Sequence, residues 1–389
     1  MPSLIMLSPA PLIEAPGGEV ILDLRFVEGM KLHCQLWPGP VRCVMRRGRR
    51  QIEKPMRYTL ARLGFDLIVL DPGAPVPDLL LDEAALVYVA ADDMQYLHLP
   101  ALMRGRMGRL VFTLDEALGG RLARALHIGP SVRRRLGALW WALSHEGALR
   151  RALRAATAIH CNGDPAYRAY RRVNPRALRY FDNRMRLPMI VRAAEQDARL
   201  ARLQQAQPLR LAWYGQMDRD SGVTDLLPMA HLLAARGVPF TLALYGDGPL
   251  FGQMRDGIDG LGLERQVTLA PQPAFDPVLV PRLRREADLF LMPRRLPDPQ
   301  GAYVEAMGCG LPILGYRNRQ WRRLQAESGA GWAVRASPSA LAAKVEHLHG
   351  ARGELARASA RAVEFARANT FESVFARRMT DLRDIARID

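Results

Sequence analysis

Short apolar runs alternate along the first half of the chain with longer segments in which apolar and polar residues are mixed. The runs cover residues 4–9, 41–45, 66–71, 86–90 and 109–114. The segments between them are long enough for helices, and this alternation is typical of an α/β domain with a parallel sheet. Further along, a helix is predicted to lead into a short strand near Ile159. A turn at residues 162–165 follows, and a last strand ends at residues 182–184.

The same alternation starts again at Leu209. LAWYG is a short apolar strand that ends in a glycine turn at Gly215, and a helix is predicted to start near Val223. TLALYGDGP is a second strand, with its turn over residues 246–249. In an open parallel sheet such junctions lie together at the carboxyl edge of the strands, where ligands bind.

The length of the chain, 389 residues, is too great for one typical core and suits two domains. We predict a first α/β domain over residues 1–191 and a second over residues 209–365. Residues 192–208 are polar and rich in arginine and glutamine, and they are predicted to connect the two. Residues 366–389 have the apolar spacing of an amphipathic helix.

The stretch from Ala287 to Gly315 gives the strongest indication of chemistry. An apolar run meets Pro293, a polar loop follows, and a helical segment begins near Gly301. A helix that opens after a strand directs free backbone N–H groups and its positive end at one point, which suits an anion such as a diphosphate. Glu305, about one turn into that helix, is placed to accept hydrogen bonds from the two hydroxyls of a ribose. A surface glutamate in a first helical turn is the alternative.

These motifs make the chain resemble the GT-B glycosyltransferases, and most of all the retaining enzymes of family 4 (glycosyl transferases group 1). The resemblance covers roughly residues 209–335. It rests on matches at Gly215, Gly246, Gly248, Pro249, Ala287, Asp288, Pro293, Gly301, Glu305, Ala306, Met307, Gly310 and Pro312. It implies an α/β fold of two Rossmann-like domains that face each other across a cleft, with the final helix crossing back to the first domain.

The resemblance also implies an activity. The second domain would hold a nucleotide-diphosphate sugar and the first domain the acceptor, and the sugar would keep its anomeric configuration. The leaving diphosphate would be stabilised electrostatically, with no metal and no cofactor. We predict that the donor lies against Gly215, Gln216, Arg219, Gly246, Arg294, Arg295, Gly301, Ala302, Tyr303 and Glu305.

The residues that would bind the diphosphate depart from the family. Gln216 and Ser221 stand where the family has an arginine and a lysine. Arg294 and Arg295, at the same edge of the predicted sheet, are expected to replace them, since arginine offers a bidentate fork for phosphate oxygens. Arg219 is a third candidate. Surface arginines in an arginine-heavy protein are the alternative.

The catalytic positions depart as well. The first acid of the family's glutamate pair would fall at Pro297, and the nearest acid, Asp298, is predicted either to contact the sugar or to cap the next helix. Asp115 follows a predicted strand where the family has a histidine, and it is predicted either to act on the acceptor or to cap a helix. Gly17 and Gly18 form either the family's amino-terminal phosphate loop or a plain turn.

Composition is ordinary for a soluble globular protein, with 49% hydrophobic and 24% charged residues. No apolar run reaches the roughly 18 residues of a membrane span. The opening MPSLIMLSPAPLI lacks a basic leader and reads as a first strand, so we expect a cytoplasmic protein. The cysteines have no metal-like spacing and are expected to be reduced packing residues: Cys34, Cys43, Cys161 and Cys309.

The net charge of +16 is unusual, and arginine supplies nearly all of it, because only three of the 55 basic residues are lysines. Residues 121–160 hold eight arginines and one acid, Glu146, with Trp140 and Trp141 among them. This pattern is typical of a helix on an anionic membrane surface, where the enzyme would meet a lipid-linked acceptor at the inner face of the membrane. An apolar stripe facing the core is the alternative. No nucleic-acid partner is expected, since aromatic residues are only 7%.

Two other functions stay open at this point. One is a non-catalytic GT-B-like protein that binds a nucleotide sugar, suggested by the absence of the family's arginine and lysine. The other is a nucleotide-sugar epimerase on the same fold, which needs paired acids. The base, the sugar, the acceptor, the linkage and the oligomeric state are left open by the residues.

Overall fold

The computed structural model describes residues 1–48, 52, 55–92, 94–127, 131–205, 207–296 and 301–388. The chain divides into two compact units. The first consists of Met1–Tyr180 together with Val374–Asp389, and the second of Phe181–Ser373. Each unit contains its own parallel sheet with helices, so the α/β class predicted from the sequence is confirmed.

In the part of the first unit that the structure describes, seven strands form a parallel sheet and three form a second, antiparallel sheet. The strands of this unit are β1 (Ser3–Leu7), β2 (Ile13–Ala15), β3 (Glu19–Asp23), β4 (Val41–Arg46), β5 (Pro55–Thr59), β6 (Asp66–Leu70), β7 (Ala84–Ala90), β8 (Arg109–Leu114), β9 (Ala158–Asn162) and β10 (Ala177–Tyr180). The parallel sheet has the order β10-β9-β8-β7-β1-β4-β6. The strands β2, β3 and β5 form a separate antiparallel sheet.

Helices cover this sheet. They are α1 (Leu24–Leu36), α2 (Asp78–Asp82), α3 (Leu99–Leu102), α4 (Leu118–His127), α5 (Val132–Ala155) and α6 (Gly163–Tyr170). Strands covered on both faces read as nearly continuous apolar runs. That is why β1, β4, β6, β7 and β8 coincide with the five runs seen in the sequence. Buried side chains such as Leu4, Val44 and Phe112 lie in the two core clusters of this unit.

The second unit has six parallel strands. They are β11 (Leu209–Tyr214), β12 (Phe240–Tyr245), β13 (Val267–Ala270), β14 (Leu289–Met292), β15 (Ile313–Tyr316) and β16 (Gly331–Val334). Their order is β13-β12-β11-β14-β15-β16. This is the strand order of a Rossmann sheet, in which the direction of progression reverses beside the first strand. Here the reversal lies between β11 and β14.

The helices of the second unit are α7 (Ala193–Gln204), α8 (Leu226–Ala235), α9 (Phe251–Gly260), α10 (Val280–Glu286), α11 (Gly301–Gly308), α12 (Arg319–Ser328), α13 (Pro338–Gly350) and α14 (Arg352–Ala368). A last helix, α15 (Phe371–Ala386), ends the chain. From Val374 onward it belongs to the first unit. There Met379, Leu382 and Ile385 are buried in the same core cluster as Leu4.

Within residues 192–208, predicted as a connection, Ala193–Gln204 form helix α7, which lies inside the second unit. Arg199 explains why. Its guanidinium is fully buried and donates hydrogen bonds to the carbonyl oxygens of Ala287, Arg284, Cys309 and Gly310. An arginine can be buried in this way because its donors find acceptors in the protein. The polar composition of the segment therefore suggested an exposed connection, although the segment contains a packed helix.

Candidate functional site

The reversal of strand order in the second sheet leaves a crevice at the carboxyl ends of β11 and β14, which is where open α/β sheets bind ligands. The loop after β11 is anchored there by Gly222, whose φ is +71°. A Cβ atom at this glycine would lie 2.1 Å from the carbonyl oxygen of Pro293, directly after β14. Only glycine fits both requirements.

The turns after β11 and β12 interlock. The N–H of Gly215 donates to the carbonyl of Tyr245 at 3.1 Å, and the N–H of Met217 donates to the carbonyl of Asp247 at 2.7 Å. A Cβ atom on Gly246 would lie 2.2 Å from the carbonyl oxygen of Gly215. Two of the predicted donor residues are therefore brought together by close backbone contact. The side chains of Gln216 and Arg219, on the same loop, are exposed.

Glu305 lies on α11 and is 3% exposed. Its Oε1 accepts hydrogen bonds from the backbone N–H of Arg184 at 3.1 Å and from Nε of the same residue at 2.7 Å. Its Oε2 accepts from Nη2 of Arg184 at 2.6 Å and from the hydroxyl of Tyr214 at 2.6 Å. Burial alone would raise the pKa of Glu305, but the charge and hydrogen bonds of Arg184, with that of Tyr214, outweigh burial and hold the pKa below its usual range.

Arg184 and Tyr214 were not singled out from the sequence. Tyr214 is the last residue of β11, next to Gly215, so its position at the strand end was a usable signal. Arg184 lies in a segment without regular structure, and nothing in its local sequence indicates a partner 121 positions away. Burial raises the pKa of the Tyr214 hydroxyl, and the charge of Glu305 raises it further, so Tyr214 stays a proton donor to the carboxylate.

The first residues of α11 have different surroundings. A Cβ atom on Gly301 would lie 3.4 Å from the carbonyl oxygen of Asp182. Ala302 is half-buried. The ring of Tyr303 is buried and stacks on Trp321, with 5.1 Å between ring centroids and an interplanar angle of 7°. A donor contact from Tyr303 would therefore come from its backbone. Asp298 and Pro297 lie outside the described residues.

The two arginines after β14 are engaged with protein groups. Arg295 donates to the carboxylate of Asp225 at 2.5 Å and to the carbonyl of Ala336 at 3.1 Å, and its guanidinium lies 5.1 Å from the centroid of the Tyr316 ring. The carbonyl of Arg294 accepts a hydrogen bond from the side chain of Asn318. The hydroxyl of Ser221 donates to the carbonyl of Asp218 within its own loop.

In the first unit, Asp115 follows β8 and its side chain is exposed. Its backbone N–H donates to Oδ2 of Asp92 at 2.7 Å. Asp92 follows the neighbouring strand β7, so the two aspartates lie at the same carboxyl edge of the sheet. Burial, with a contribution from the charge of Asp115, raises the pKa of Asp92 to about 7. Asp92 was not singled out from the sequence, where nothing indicates this perturbation of its pKa.

Gly17 and Gly18 lie in the turn between β2 and β3, with φ of +81° and +74°. Both values are in the left-handed region that glycine adopts readily. Over the described residues, no group of three or more histidine, cysteine, aspartate or glutamate side chains could hold a metal ion. No helix in the same part of the chain combines the length and the apolar content needed to cross a bilayer.

Comparison with known proteins agrees with this geometry. Residues 208–350 match the family model described as glycosyl transferases group 1. Over 108 residues the chain is 31% identical to the 2-deoxystreptamine N-acetyl-D-glucosaminyltransferase of Streptomyces fradiae. That match covers 27% of this chain and 25% of the relative, so the chain spans about a quarter of the curated relative it matches.

Among solved structures, HepE from Anabaena in complex with UDP superimposes with a TM-score of 0.67 and 14% identity, over 99% of this chain and 100% of that chain. WaaG, a glycosyltransferase involved in lipopolysaccharide biosynthesis, superimposes with a TM-score of 0.56 and 13% identity, over 97% and 98% of the two chains. Both are similar in fold. Residues 208–350 are therefore similar to the glycosyl transferases group 1 family, and the chain has the GT-B fold.

Proposed function

We propose that this protein is a glycosyltransferase that moves a sugar from a nucleotide-diphosphate donor to an acceptor. One observation carries the proposal. A buried, ionised glutamate on α11 and two interlocked glycine turns lie at the strand-order reversal of a domain that matches the glycosyl transferases group 1 model. Related folds crystallised with UDP and with UDP-glucose support a nucleotide sugar as the donor.

The donor would bind to the second unit. Glu305 would accept hydrogen bonds from the ribose hydroxyls, and the diphosphate would lie near the first N–H groups of α11 and the turn at Gly215. The leaving diphosphate would be stabilised by these dipoles and by nearby arginines, without a metal. The product would keep the anomeric configuration by displacement on the same face of the sugar.

The acceptor would bind to the first unit. Asp115 and Asp92 at the carboxyl edge of its sheet offer a carboxylate and a group whose pKa is about 7. We propose that Asp115, whose side chain is exposed, contacts the acceptor or the developing positive charge of the sugar. Asp92 would support it, since a base works best when its pKa lies near the working pH.

The acceptor would be lipid-linked and would be met at the inner face of the cytoplasmic membrane. Helix α5 supports this proposal because it has apolar side chains on two faces. One face is buried and includes Ala142, Leu149 and Leu153. The opposite face exposes Val132, Leu136, Trp140 and Leu143, which share one side of the helix by their spacing.

The charges around this exposed face are basic. Glu146, the one acid of α5, is buried and paired with Arg121 and Arg150. Arg133, Arg151 and Arg154 lie beside or in line with the exposed row by their spacing and are exposed themselves. An apolar row with tryptophan beside exposed arginines is complementary to an anionic lipid surface.

A non-catalytic nucleotide-sugar-binding protein is the second candidate, favoured by the uncharged Gln216 and by Ser221, whose hydroxyl is bonded within its own loop. Incubation with a panel of nucleotide sugars separates the candidates. Transfer or slow donor hydrolysis supports the transferase, binding without turnover supports the second candidate, and interconversion of the sugars would indicate an epimerase. A thermal-shift screen of UDP, GDP, ADP, CMP and TDP selects the base, since a ligand at 100 times its Kd stabilises the fold by roughly 2.7 kcal/mol.

A further inference from the structure

The accepting capacity of Glu305 is filled by the protein itself. An ionised carboxylate offers about four lone-pair positions. In this structure Arg184 supplies three hydrogen bonds to them and Tyr214 supplies the fourth. A ribose can therefore hydrogen-bond to Glu305 only if one of these donors moves away.

Arg184 is the donor that can move. Tyr214 is on a central strand and is buried, whereas the side chain of Arg184 is 21% exposed and lies on a segment without regular structure. Its guanidinium carbon is 3.8 Å from the centroid of the Phe275 ring. Of the guanidinium nitrogens, Nε and Nη2 bond to Glu305, and Nη1 is the one that Glu305 does not hold.

The surroundings of Arg184 are those expected for a phosphate-binding cation. Its partner Tyr214 precedes the turn at Gly215, and Asp182 of the same segment lies against Gly301 at the beginning of α11. Arg295 is paired with Asp225, and position 216 carries a glutamine. The carboxylate that holds Arg184 is the one that the ribose would engage.

We propose that Arg184 exchanges partners when the donor binds: the ribose hydroxyls take its place on Glu305, and the guanidinium moves to the diphosphate. This inference rests on the proposed function. Arg184 neutralises Glu305 before binding and would offset part of the diphosphate charge afterwards. The hydroxyls of Tyr214 and the ribose would then supply the hydrogen bonds to the Glu305 carboxylate. Arginine suits the second role because its fork binds phosphate oxygens in a bidentate manner.

The exchange makes a specific demand on the ligand. A nucleoside diphosphate supplies both the hydroxyls that displace Arg184 and the phosphates that receive it. A nucleoside supplies only the hydroxyls, so it must break the Arg184–Glu305 pair without compensation. A nucleoside should therefore bind more weakly than its diphosphate by a larger factor than the lost contacts between phosphate and backbone N–H groups alone would cause.

Calorimetric titration of the full chain with UDP, GDP and ADP and with the matching nucleosides tests the exchange. In Arg184→Met we expect affinity for the bound nucleoside diphosphate to fall about 10- to 100-fold, while affinity for its nucleoside rises. Arg184→Lys keeps the charge without the fork and should lose less of the diphosphate affinity. The opposite response of the two ligands is the signature of the exchange.

Two controls separate this signature from a structural defect. Arg202→Met removes an arginine from another buried carboxylate of the same unit, Asp288, at a distance of 3.1 Å, and should leave both affinities unchanged. The double variant Arg184→Met/Glu305→Gln removes the whole pair and guards against misfolding from an uncompensated glutamate. This double variant should bind the nucleoside diphosphate weakly. Its affinity for the nucleoside should not rise above that of the unsubstituted protein.

Each result decides a different question. Equal losses of nucleoside and nucleoside-diphosphate affinity in Arg184→Met would make Arg184 a structural partner of Glu305 and overturn the exchange. Unchanged affinity for the nucleoside diphosphate in Arg184→Met would also overturn the exchange. If Arg295→Met lost that affinity instead, Arg295 would be the residue that binds the diphosphate. If the unsubstituted protein binds none of the nucleoside diphosphates, the proposed function fails first.

Discussion

The carboxyl edges of the two sheets use the same architecture to tune carboxylates in opposite directions. In the second unit, Glu305 is buried against Arg184 and Tyr214, and its pKa is held below the usual range. In the first unit, Asp92 is half-buried beside Asp115, and burial with the charge of Asp115 raises its pKa to about 7. Burial raises the pKa at both sites, and at Glu305 the charge and hydrogen bonds of Arg184 outweigh it. One edge thus keeps a fixed negative charge suited to binding hydroxyls, and the other keeps a group able to exchange a proton near neutral pH.

The largest expected effect is on the stability of the second unit. Replacing Glu305 with Gln leaves Arg184 without its carboxylate, and removing one partner of a buried pair typically costs about 3–5 kcal/mol. Chemical denaturation monitored by circular dichroism measures the change in unfolding free energy. Glu346→Gln, which removes the partner of Arg236 in an exposed pair of the same unit, is the matched control and should cost about 1 kcal/mol or less. Similar losses in the two variants would mean that Glu305 is not specially stabilised by Arg184.

The next effect concerns turnover. Asp115→Asn should lower the rate of sugar transfer by on the order of 10²-fold or more if Asp115 acts as a base, while the affinity for the nucleoside diphosphate stays unchanged. Initial rates with the donor selected by the thermal-shift screen check the first part, and calorimetry checks the second. Near-normal turnover would leave Asp115 as a cap of the loop that follows β8.

The two carboxylates should also respond to pH with opposite signs. The folded pKa of Asp92 is raised, so the folded state holds its proton longer, and the stability from this group is full below about pH 4 and is lost as the pH rises to about 7. Glu305 has a lowered pKa, so its contribution is present above its unfolded pKa and is lost as the pH falls through its folded value. The unfolding free energy is measured from pH 3 to 8. In the unsubstituted protein it should include the contribution of Asp92 that falls between about pH 4 and 7, and in Asp92→Asn this contribution should be absent. The same dependence on pH in both proteins would argue against the raised pKa of Asp92.

The smallest effect is expected on α5. Trp140 is 71% exposed in the apolar row, whereas Trp141 is 42% exposed and stacks on His145, on another side of the helix. Trp140→Ser should weaken binding to vesicles of phosphatidylcholine with phosphatidylglycerol by roughly 1–2 kcal/mol, and Trp141→Ser by less. Co-sedimentation at low salt measures both. Binding that ignores the phosphatidylglycerol content, or equal losses in the two variants, would favour packing as the role of this segment.

The sequence predicted the sheets well because both faces of the parallel strands are covered, and LFLM in β14 or LRLAWY in β11 then appear as apolar runs. The interlocked glycine turns were also predictable, since close backbone approach requires glycine. The hairpin strands β2, β3 and β5 were missed because they are short and partly exposed. Helix α6 was read as a turn because Asn162-Gly163-Asp164-Pro165 contains turn residues, although Pro165 falls in the first turn of the helix, where proline is tolerated.

The contacts that define the chemistry were beyond the sequence. The pairing of Glu305 with Arg184 spans 121 positions, and the contact between Asp115 and Asp92 joins two strands through their ends. Local patterns report which residues are buried in a sheet or a helix, but they do not report which charged side chain reaches a given carboxylate. For the same reason the engagement of Arg295 with Asp225 was not foreseen.

The most direct test of the account is calorimetric titration of the purified chain with UDP, GDP, ADP, CMP and TDP, beside its Glu305→Gln and Asp115→Asn variants. We predict that one of the nucleotides binds to the unsubstituted protein and to Asp115→Asn with the same affinity. In folded Glu305→Gln the affinity should be lower by roughly 1.5–3 kcal/mol. If none of the nucleotides binds, or if Glu305→Gln binds as tightly as the unsubstituted protein, the carboxyl edge of the second sheet is not the donor site.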